Sequence, residues 1–315
     1  MRAMVLAAGL GTRLLPLTRR RPKCLMPVVS KPLLGLWLEK LAACGVDCAV
    51  VNTHHLADRV QSYINRLDDP DLLVRVSHEP RILGTGGGLV KARPLLGEAP
   101  FFLVNADVLS SLDLLKLEQI AGVDNPLALL VVVDNPAFNT VALDKGGRVL
   151  GFKGDENIPP NARWKTYCGL ARLRPELLDF LPAKGPSSLV DAFRTAISKG
   201  CEIRAYEPGC FWDDLGDVER YLAVNRLLCQ SPPSELAFLS PSESPVLARG
   251  ARIEPGAATS GFLIMGEDAV VESGAKVSDS ILLPGARIRS GVTVTGAVLA
   301  DGFVANSDLG GGAHA

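Results

Sequence analysis

Between residues 249 and 294 the chain returns to one short pattern: RGARI, PGAAT, EDAVV, SGAKV, SDSIL, PGARI and SGVTV. The copies mostly stand six residues apart, with a slip near Gly261 and a one-residue slip before Gly285. A small residue followed two positions later by an aliphatic suits a tight corner and an inward-facing side chain. Units of this kind build a β-helix, where each coil buries its apolar face only by stacking on the next. The spacing predicts a left-handed hexapeptide-repeat β-helix of roughly three or four coils over residues 247–308. A Pro/Ser-rich linker is expected before it at 230–246, and a flexible tail after it at 309–315.

Residues 1–229 alternate strand and helix instead. AMVLAA, CAVVN, LLVRVSHE, FFLVNAD and LALLVVVD are short apolar runs, and the segments between the first four carry helical spacing. Pro32 fits an early helical position, and Gly45 a helix end. Repeated βα units predict an open, mostly parallel, Rossmann-like α/β sheet, whose ligands sit beyond the carboxyl ends of its strands. TVALDKGGRVLGF is expected to form a hairpin turning at Gly146 and Gly147, with WKTYCGLARL as a further strand.

The bulk numbers narrow the partners. With 33 basic against 34 acidic residues, the chain has no global attraction for nucleic acid or an anionic membrane. No apolar run approaches the roughly 20 residues of a membrane span. The seven cysteines form no CxxC pair, and nothing in MRAMVLAAG resembles a signal peptide, so a reduced, cytoplasmic protein is expected. Anion binding must come from local arrangement, which favours a small phosphorylated ligand.

That arrangement lies in LAAGLGTRLLPLTRRRPKCLMPV, residues 6–28. A P-loop requires GxxxxGK followed by Ser or Thr, and Lys23 stands twelve residues after Gly11. A dinucleotide fingerprint requires a third glycine where Leu14 stands. The string fits a third kind of loop, GxGTR followed by PK. Gly9 and Gly11 let the backbone approach phosphate oxygens, Arg13 offers a planar charged fork, and Lys23 returns a point charge. In this setting RRR at residues 19–21 reads as a mobile, phosphate-facing flank.

This string resembles the signature of the sugar-1-phosphate nucleotidylyltransferases, LAAGxGTRLxPLTxxxPKxLxPV. LGTGGGLVKARPLLGEAPFFLVNADV is similar to the nucleotide- and metal-binding stretch of the N-acetylmuramate-1-phosphate uridylyltransferases in that family, and KTYCGLARLRPELL and FWDDLGDVERYLAVNRLL have counterparts there. The layout with an appended β-helix is closer to the mannose-1-phosphate guanylyltransferases. The resemblance implies an enzyme that makes an NDP-sugar and pyrophosphate from an NTP and a sugar 1-phosphate.

It also implies roles. Arg13 and Lys23 would be catalytic. Leu6, Ala8, Gly9, Gly11, Thr12, Glu79, Gly84, Thr85, Gly86 and Asn105 would face the nucleotide. Asn135, Asn139 and Gly169, with Trp212, would face the sugar. Asp107, ending NAD, and Asp214, selected from FWDDLG by the family pattern WxDxG, would hold Mg²⁺. The family's EKP lysine has no match in GFKGDENIPP, leaving Lys153 or Lys165 in its place. Asp217 stands where relatives have the Thr of LGTPERY and adds a carboxylate near Asp214. The β-helix favours GTP and a mannose-like sugar, whereas the GTGG turn favours UTP and N-acetylmuramate 1-phosphate. The four histidines, 54, 55, 78 and 314, lie outside the repeats, against an acyltransferase function and for a structural or oligomerising β-helix. A non-catalytic nucleotide-sugar sensor is the remaining alternative, opposed by the intact charged set.

Overall fold

The apolar run after Met1 forms the strand Arg2–Leu6 in a computed structural model that describes residues 1–67 and 71–315. The described residues divide into two compact units: Met1–Gly9 with Leu36–Trp212, and Leu10–Gly35 with Asp213–Ala315.

In the first unit, Arg2–Leu6 pairs in parallel with Cys48–Thr53 on one side and Phe101–Asn105 on the other, and Leu73–His78 extends the parallel half. All six residues of Cys48–Thr53 are buried, the signature of a strand covered on both faces. On the other side Ala128–Val133 and Ile203–Tyr206 also pair in parallel, so the body of the sheet is mostly parallel, as expected, with one strand reversed. Arg163–Leu173 runs antiparallel to Phe101–Asn105, Ala128–Val133 and Val141–Leu143. The cause is local: the predicted hairpin, Val141–Leu143 with Val149–Phe152, reverses the chain. Asp144 Oδ1 accepts from the amides of Gly146 (2.8 Å) and Arg148 (2.9 Å), and Gly147 takes φ +82°.

The helices are α1 (Leu33–Ala43), α2 (Ala57–Ile64), α3 (Gly84–Leu96), α4 (Leu114–Asp124) and α5 (Leu189–Ser198). Pro32 lies just outside α1, in the two-residue strand Lys31–Pro32 paired with Pro27–Val28. Met4, Val50, Leu89, Leu103, Leu130 and Phe193 share one apolar core.

The second unit contains α6 (Val218–Gln230) and the β-helix. Val246–Leu247, Ala258–Met265, Lys276–Leu282, Thr293–Leu299 and Leu309–His314 stack in parallel as one sheet. Arg252–Ile253, Val270–Val271, Arg287–Ile288 and Val304–Ala305 form a second sheet. Ala258 pairs with Lys276 and Lys276 with Thr293, so the coil shortens by one residue where the sequence slips. Val271, Val277, Ile288 and Val294 fill the interior. Two corner positions that relatives in the stack fill with glycine hold Asp268 (φ 56°) and Asp279 (φ 48°), a residue type that tolerates the left-handed region. The segment 309–314, expected as a flexible tail, instead completes the stack. Its glycines leave no side-chain periodicity from which a strand could be read.

Candidate active site

In the first unit the loop after Leu6 is built on a buried polar relay. The Ala7 amide donates to Asn52 Oδ1 (2.7 Å), and Asn52 Nδ2 donates to Glu79 Oε1 (2.8 Å). Glu79 Oε2 accepts from the Leu83 amide (2.9 Å), immediately before α3. A Cβ at Gly88 would lie 2.8 Å from both Asn52 Nδ2 and Glu79 Oε1, so only glycine lets α3 sit on the relay. Glu79, expected to face the nucleotide, is fully buried with both oxygens engaged; it joins three segments beneath the surface. Asn52 was missed as a site residue, although a lone amide closing the apolar run CAVVN was the available signal. Glu79→Ala would strand the Asn52 amide and the Leu83 N–H, at about 1–3 kcal/mol for each buried unsatisfied group. A fall of several degrees in Tm is expected by thermal denaturation; an unchanged Tm would contradict the relay.

The GTGG segment is the first turn of α3 rather than a separate turn. The amides of Gly86 and Gly87 donate to Ser187 O (2.9 and 3.4 Å), and the Ser187 amide donates to Leu83 O (2.9 Å). A Cβ at Gly86 would lie 2.7 Å from Leu181 Cδ2, and one at Gly87 2.6 Å from Gly185 O. These glycines admit the segment before α5. Gly86, expected at the nucleotide, is buried beneath that segment, whereas Gly84 and Thr85 are exposed. The Thr85 hydroxyl accepts from the Leu189 amide (2.9 Å) and so helps start α5.

The ends of the neighbouring strands gather the remaining first-unit residues. Leu6 is half-buried, Ala8 buried and Gly9 exposed. Ala106 continues the ladder through its amide to Leu6 O (3.0 Å), and half-buried Asp107 follows in a turn. Gly169 takes φ +73°, and a Cβ there would lie 2.7 Å from Asn105 Cγ; the antiparallel register that sets Leu170 opposite Val104 brings Gly169 against Asn105. Trp212 Nε1 donates to Cys168 O (2.9 Å), fixing the indole beside that glycine. Asn139 Oδ1 accepts from the Asn135 amide (3.2 Å) and from Thr166 Oγ1 (2.9 Å), so the two asparagines form one loop. Lys165 Nζ lies 2.6 Å from Glu207 Oε1 and 3.4 Å from Asp134 Oδ2, and the bond to Glu207 raises its pKa. Of the two candidates for the missing EKP lysine, Lys165 is therefore held by carboxylates; Lys153 donates its amide to Thr140 O (2.8 Å).

The charged residues of the signature belong to the second unit. Gly11 takes φ +66°, and a Cβ there would lie 2.8 Å from Thr18 Cγ2 and 3.2 Å from Lys23 Cβ. Thr18 Oγ1 donates to Gly11 O (2.9 Å), closing the loop on itself. Thr12 and Arg13 are exposed on a short 3₁₀ turn anchored by fully buried Leu14, whereas Lys23 is nearly buried. The Arg13 guanidinium lies over Gly216, where a Cβ would meet Nη1 at 2.8 Å, and its Nη2 is 3.9 Å from Asp214 Oδ2. Arg220, from the first turn of α6, pairs with Asp213 Oδ1 (2.9 Å) and with Asp214 Oδ1. Burial raises the pKa of Asp213 against the opposing pull of Arg220. Asp217, expected to add a carboxylate near Asp214, is also the N-cap of α6, accepting from the Arg220 amide (2.9 Å), and its charge helps to raise the pKa of Asp213.

Two arginines of the basic run 19–21, expected as a mobile phosphate-facing flank, turn to the β-helix instead. Arg21 Nε donates to Asp301 Oδ2 (3.1 Å) with Nη2 on Oδ1, and Arg20 Nη1 donates to Asp301 O (2.8 Å). Both arginines are therefore committed to the β-helix.

Each unit thus assembles part of the expected set: Leu6 and Asn105 at strand ends, Ala8 just beyond one and Gly169 within Arg163–Leu173 in the first, Gly11, Arg13, Lys23 and Asp214 around one loop in the second. Carboxylate oxygens are suitable donors for a hard divalent cation. Asp214 presents one: among the described residues, Oδ1 is taken by Arg220, while Oδ2 has only the long approach of Arg13. Among the described residues, no three His, Cys, Asp or Glu side chains converge as a self-sufficient metal cage, and no helix is long and apolar enough to cross a membrane.

Comparison with known proteins identifies the family. The Nucleotidyl transferase family model matches residues 2–231. The mannose-1-phosphate guanylyltransferase of Mycobacterium tuberculosis is 27% identical over 297 residues, 93% of this chain and 82% of that protein. The N-acetylmuramate alpha-1-phosphate uridylyltransferase of Caulobacter vibrioides is 33% identical over 242 residues, 73% of this chain and 97% of that protein. The crystal structure of HddC from Yersinia pseudotuberculosis complexed with GMP-PN shares the fold, with a TM-score of 0.60 at 21% identity over 71% of this chain and 97% of that one. From its first strand through α6, the chain belongs to the nucleotidyl transferase family.

Proposed function

We propose that the protein transfers a nucleotidyl group from an NTP to a sugar 1-phosphate, with GTP and mannose 1-phosphate as its substrates. The observation that carries this reading is the Arg13 guanidinium, exposed over Gly216 beside Asp214 on a loop that also holds Lys23. In the reaction a sugar-phosphate oxygen attacks the α-phosphorus; the bond to the bridging β-phosphate oxygen breaks and pyrophosphate leaves. The attacking oxygen is already ionised near neutral pH, so no general base is needed. The barrier is repulsion and misalignment between two anions, which fixed positive charge and a shaped crevice lower.

Arg13 would bind the triphosphate through its planar fork, and Lys23 would add a charge fixed by near-burial. The backbones of Leu6, Ala8 and Gly9, with Thr12, Gly84, Thr85 and Asn105, would border the nucleotide. Asn135, Asn139 and Gly169 would border the sugar. Asp107 and Asp214 would hold Mg²⁺, which supplies further charge neutralisation on phosphate oxygens. The β-helix would associate copies of the chain in the cytoplasm.

The match along 93% of the chain to a guanylyltransferase supports GTP and mannose 1-phosphate. A second reading, UTP with N-acetylmuramate 1-phosphate, is favoured by the higher identity, 33%, to a relative matched over 97% of its length. Pyrophosphate release with Mg²⁺, each of four NTPs and both sugar phosphates distinguishes them. The first reading expects GTP with mannose 1-phosphate to be the fastest pair by at least tenfold; a UTP preference of that size would replace it with the second.

A further inference from the structure

We infer that Asp301, on the last part of the β-helix, positions the loop of Arg13 and Lys23 through Arg21, making the β-helix a support of the reacting groups. The inference rests on the proposed role of that loop. Its geometry is continuous within one compact unit, which joins Leu10–Gly35 to Asp213–Ala315. Arg21 and Asp301 form a two-point pair, with side chains only 19% and 17% exposed. Partial burial and a bidentate fork make this a stronger and more directional contact than an exposed ion pair. Arg21 Nη1 also donates to Leu25 O (3.4 Å), closing the 3₁₀ turn Lys23–Leu25. Lys23 Cβ in turn lies against Gly11, two residues before Arg13. A displacement at Asp301 therefore reaches both catalytic side chains through three consecutive contacts.

The far end of the loop is held independently by α6. The Val29 amide donates to Asn225 Oδ1 (2.7 Å), and Tyr221 OH donates to Pro27 O (2.6 Å), both from fully buried side chains. Removing the Asp301 carboxylate would thus loosen Arg21 and the contacts that run from it through Leu25 and Lys23 to Gly11, without releasing residues 27–29. It would also leave a partly buried Arg21 guanidinium without its counter-charge, which favours rearrangement of the loop.

The test uses the full chain carrying Asp301→Ala, the isosteric Asp301→Asn and the swap Arg21→Asp with Asp301→Arg. Hydrogen exchange should rise at least tenfold in residues 12–25 of both single variants, with the strand Cys48–Thr53 unchanged. kcat should fall at least tenfold while the KM for the sugar phosphate holds within a factor of about two, the pattern of a lost transition-state contact. The swap should recover at least a fifth of the activity. Unchanged exchange in both single variants overturns the positioning role, whether or not the wild-type chain turns over. Raised exchange with wild-type kcat overturns its link to catalysis, and loss of protection throughout both units shows a merely structural pair. If the wild-type chain releases no pyrophosphate from any substrate pair, the proposed function fails while the exchange result still decides the latch.

Discussion

Arg13→Ala is expected to lower kcat by roughly 100- to 1,000-fold, the loss typical of removing one donor aimed at developing charge. The side chain is 59% exposed and its nearest carboxylate oxygen is 3.9 Å away, so stability should barely change. Arg13→Lys should recover only part of the rate, because an ammonium cannot reproduce a planar guanidinium lying on the Gly216 backbone. Steady-state kinetics with circular dichroism of each variant checks the pair. Near-normal turnover in the alanine variant would remove the loop from the mechanism.

The second large effect is expected at Asp214. Its carboxylate balances Arg220 and approaches Arg13, and it is proposed to take the metal. Asp214→Asn removes a charge while keeping the shape. The Mg²⁺ concentration for half-maximal rate should rise by 10- to 100-fold, a range typical of weakened metal sites, and kcat should fall about 100-fold. A Mg²⁺ titration of initial rate measures both. An unaltered Mg²⁺ dependence with reduced kcat would assign Asp214 to orienting Arg13 alone.

The elements legible in the sequence were those with strong periodicity or punctuation. The six-residue repeat gave the β-helix, the glycine pair gave the hairpin turn, and apolar runs gave the strands around Arg2–Leu6. Local signals failed where a distant segment decides a residue's work. Gly86 and Gly87 look like a turn lying against the nucleotide because nothing nearby reveals Ser187 O waiting for their amides. Glu79 looks like a surface ligand until Asn52 and the Leu83 amide are seen to consume both oxygens. Residues 19–21 look like an anion-binding flank, yet Arg21 meets a carboxylate 280 positions away. Asp217 does add charge beside Asp213, but its second task as the N-cap of α6 shows only in the structure.

The loop's unexpected membership changes the reading of the β-helix. Residues 10–35 pack with α6 and the coils, which ties the repeat that most constrains the fold to the signature that most constrains the chemistry.

The proposed reaction transfers a nucleotidyl group with pyrophosphate as the leaving group. ³¹P NMR of the full chain with Mg²⁺, GTP and mannose 1-phosphate tests it most directly. The account predicts pyrophosphate and a sugar-linked diphosphate appearing in equal amounts as both substrates decline. Orthophosphate alone, or no new resonance with any of the four NTPs and either sugar phosphate, would contradict it.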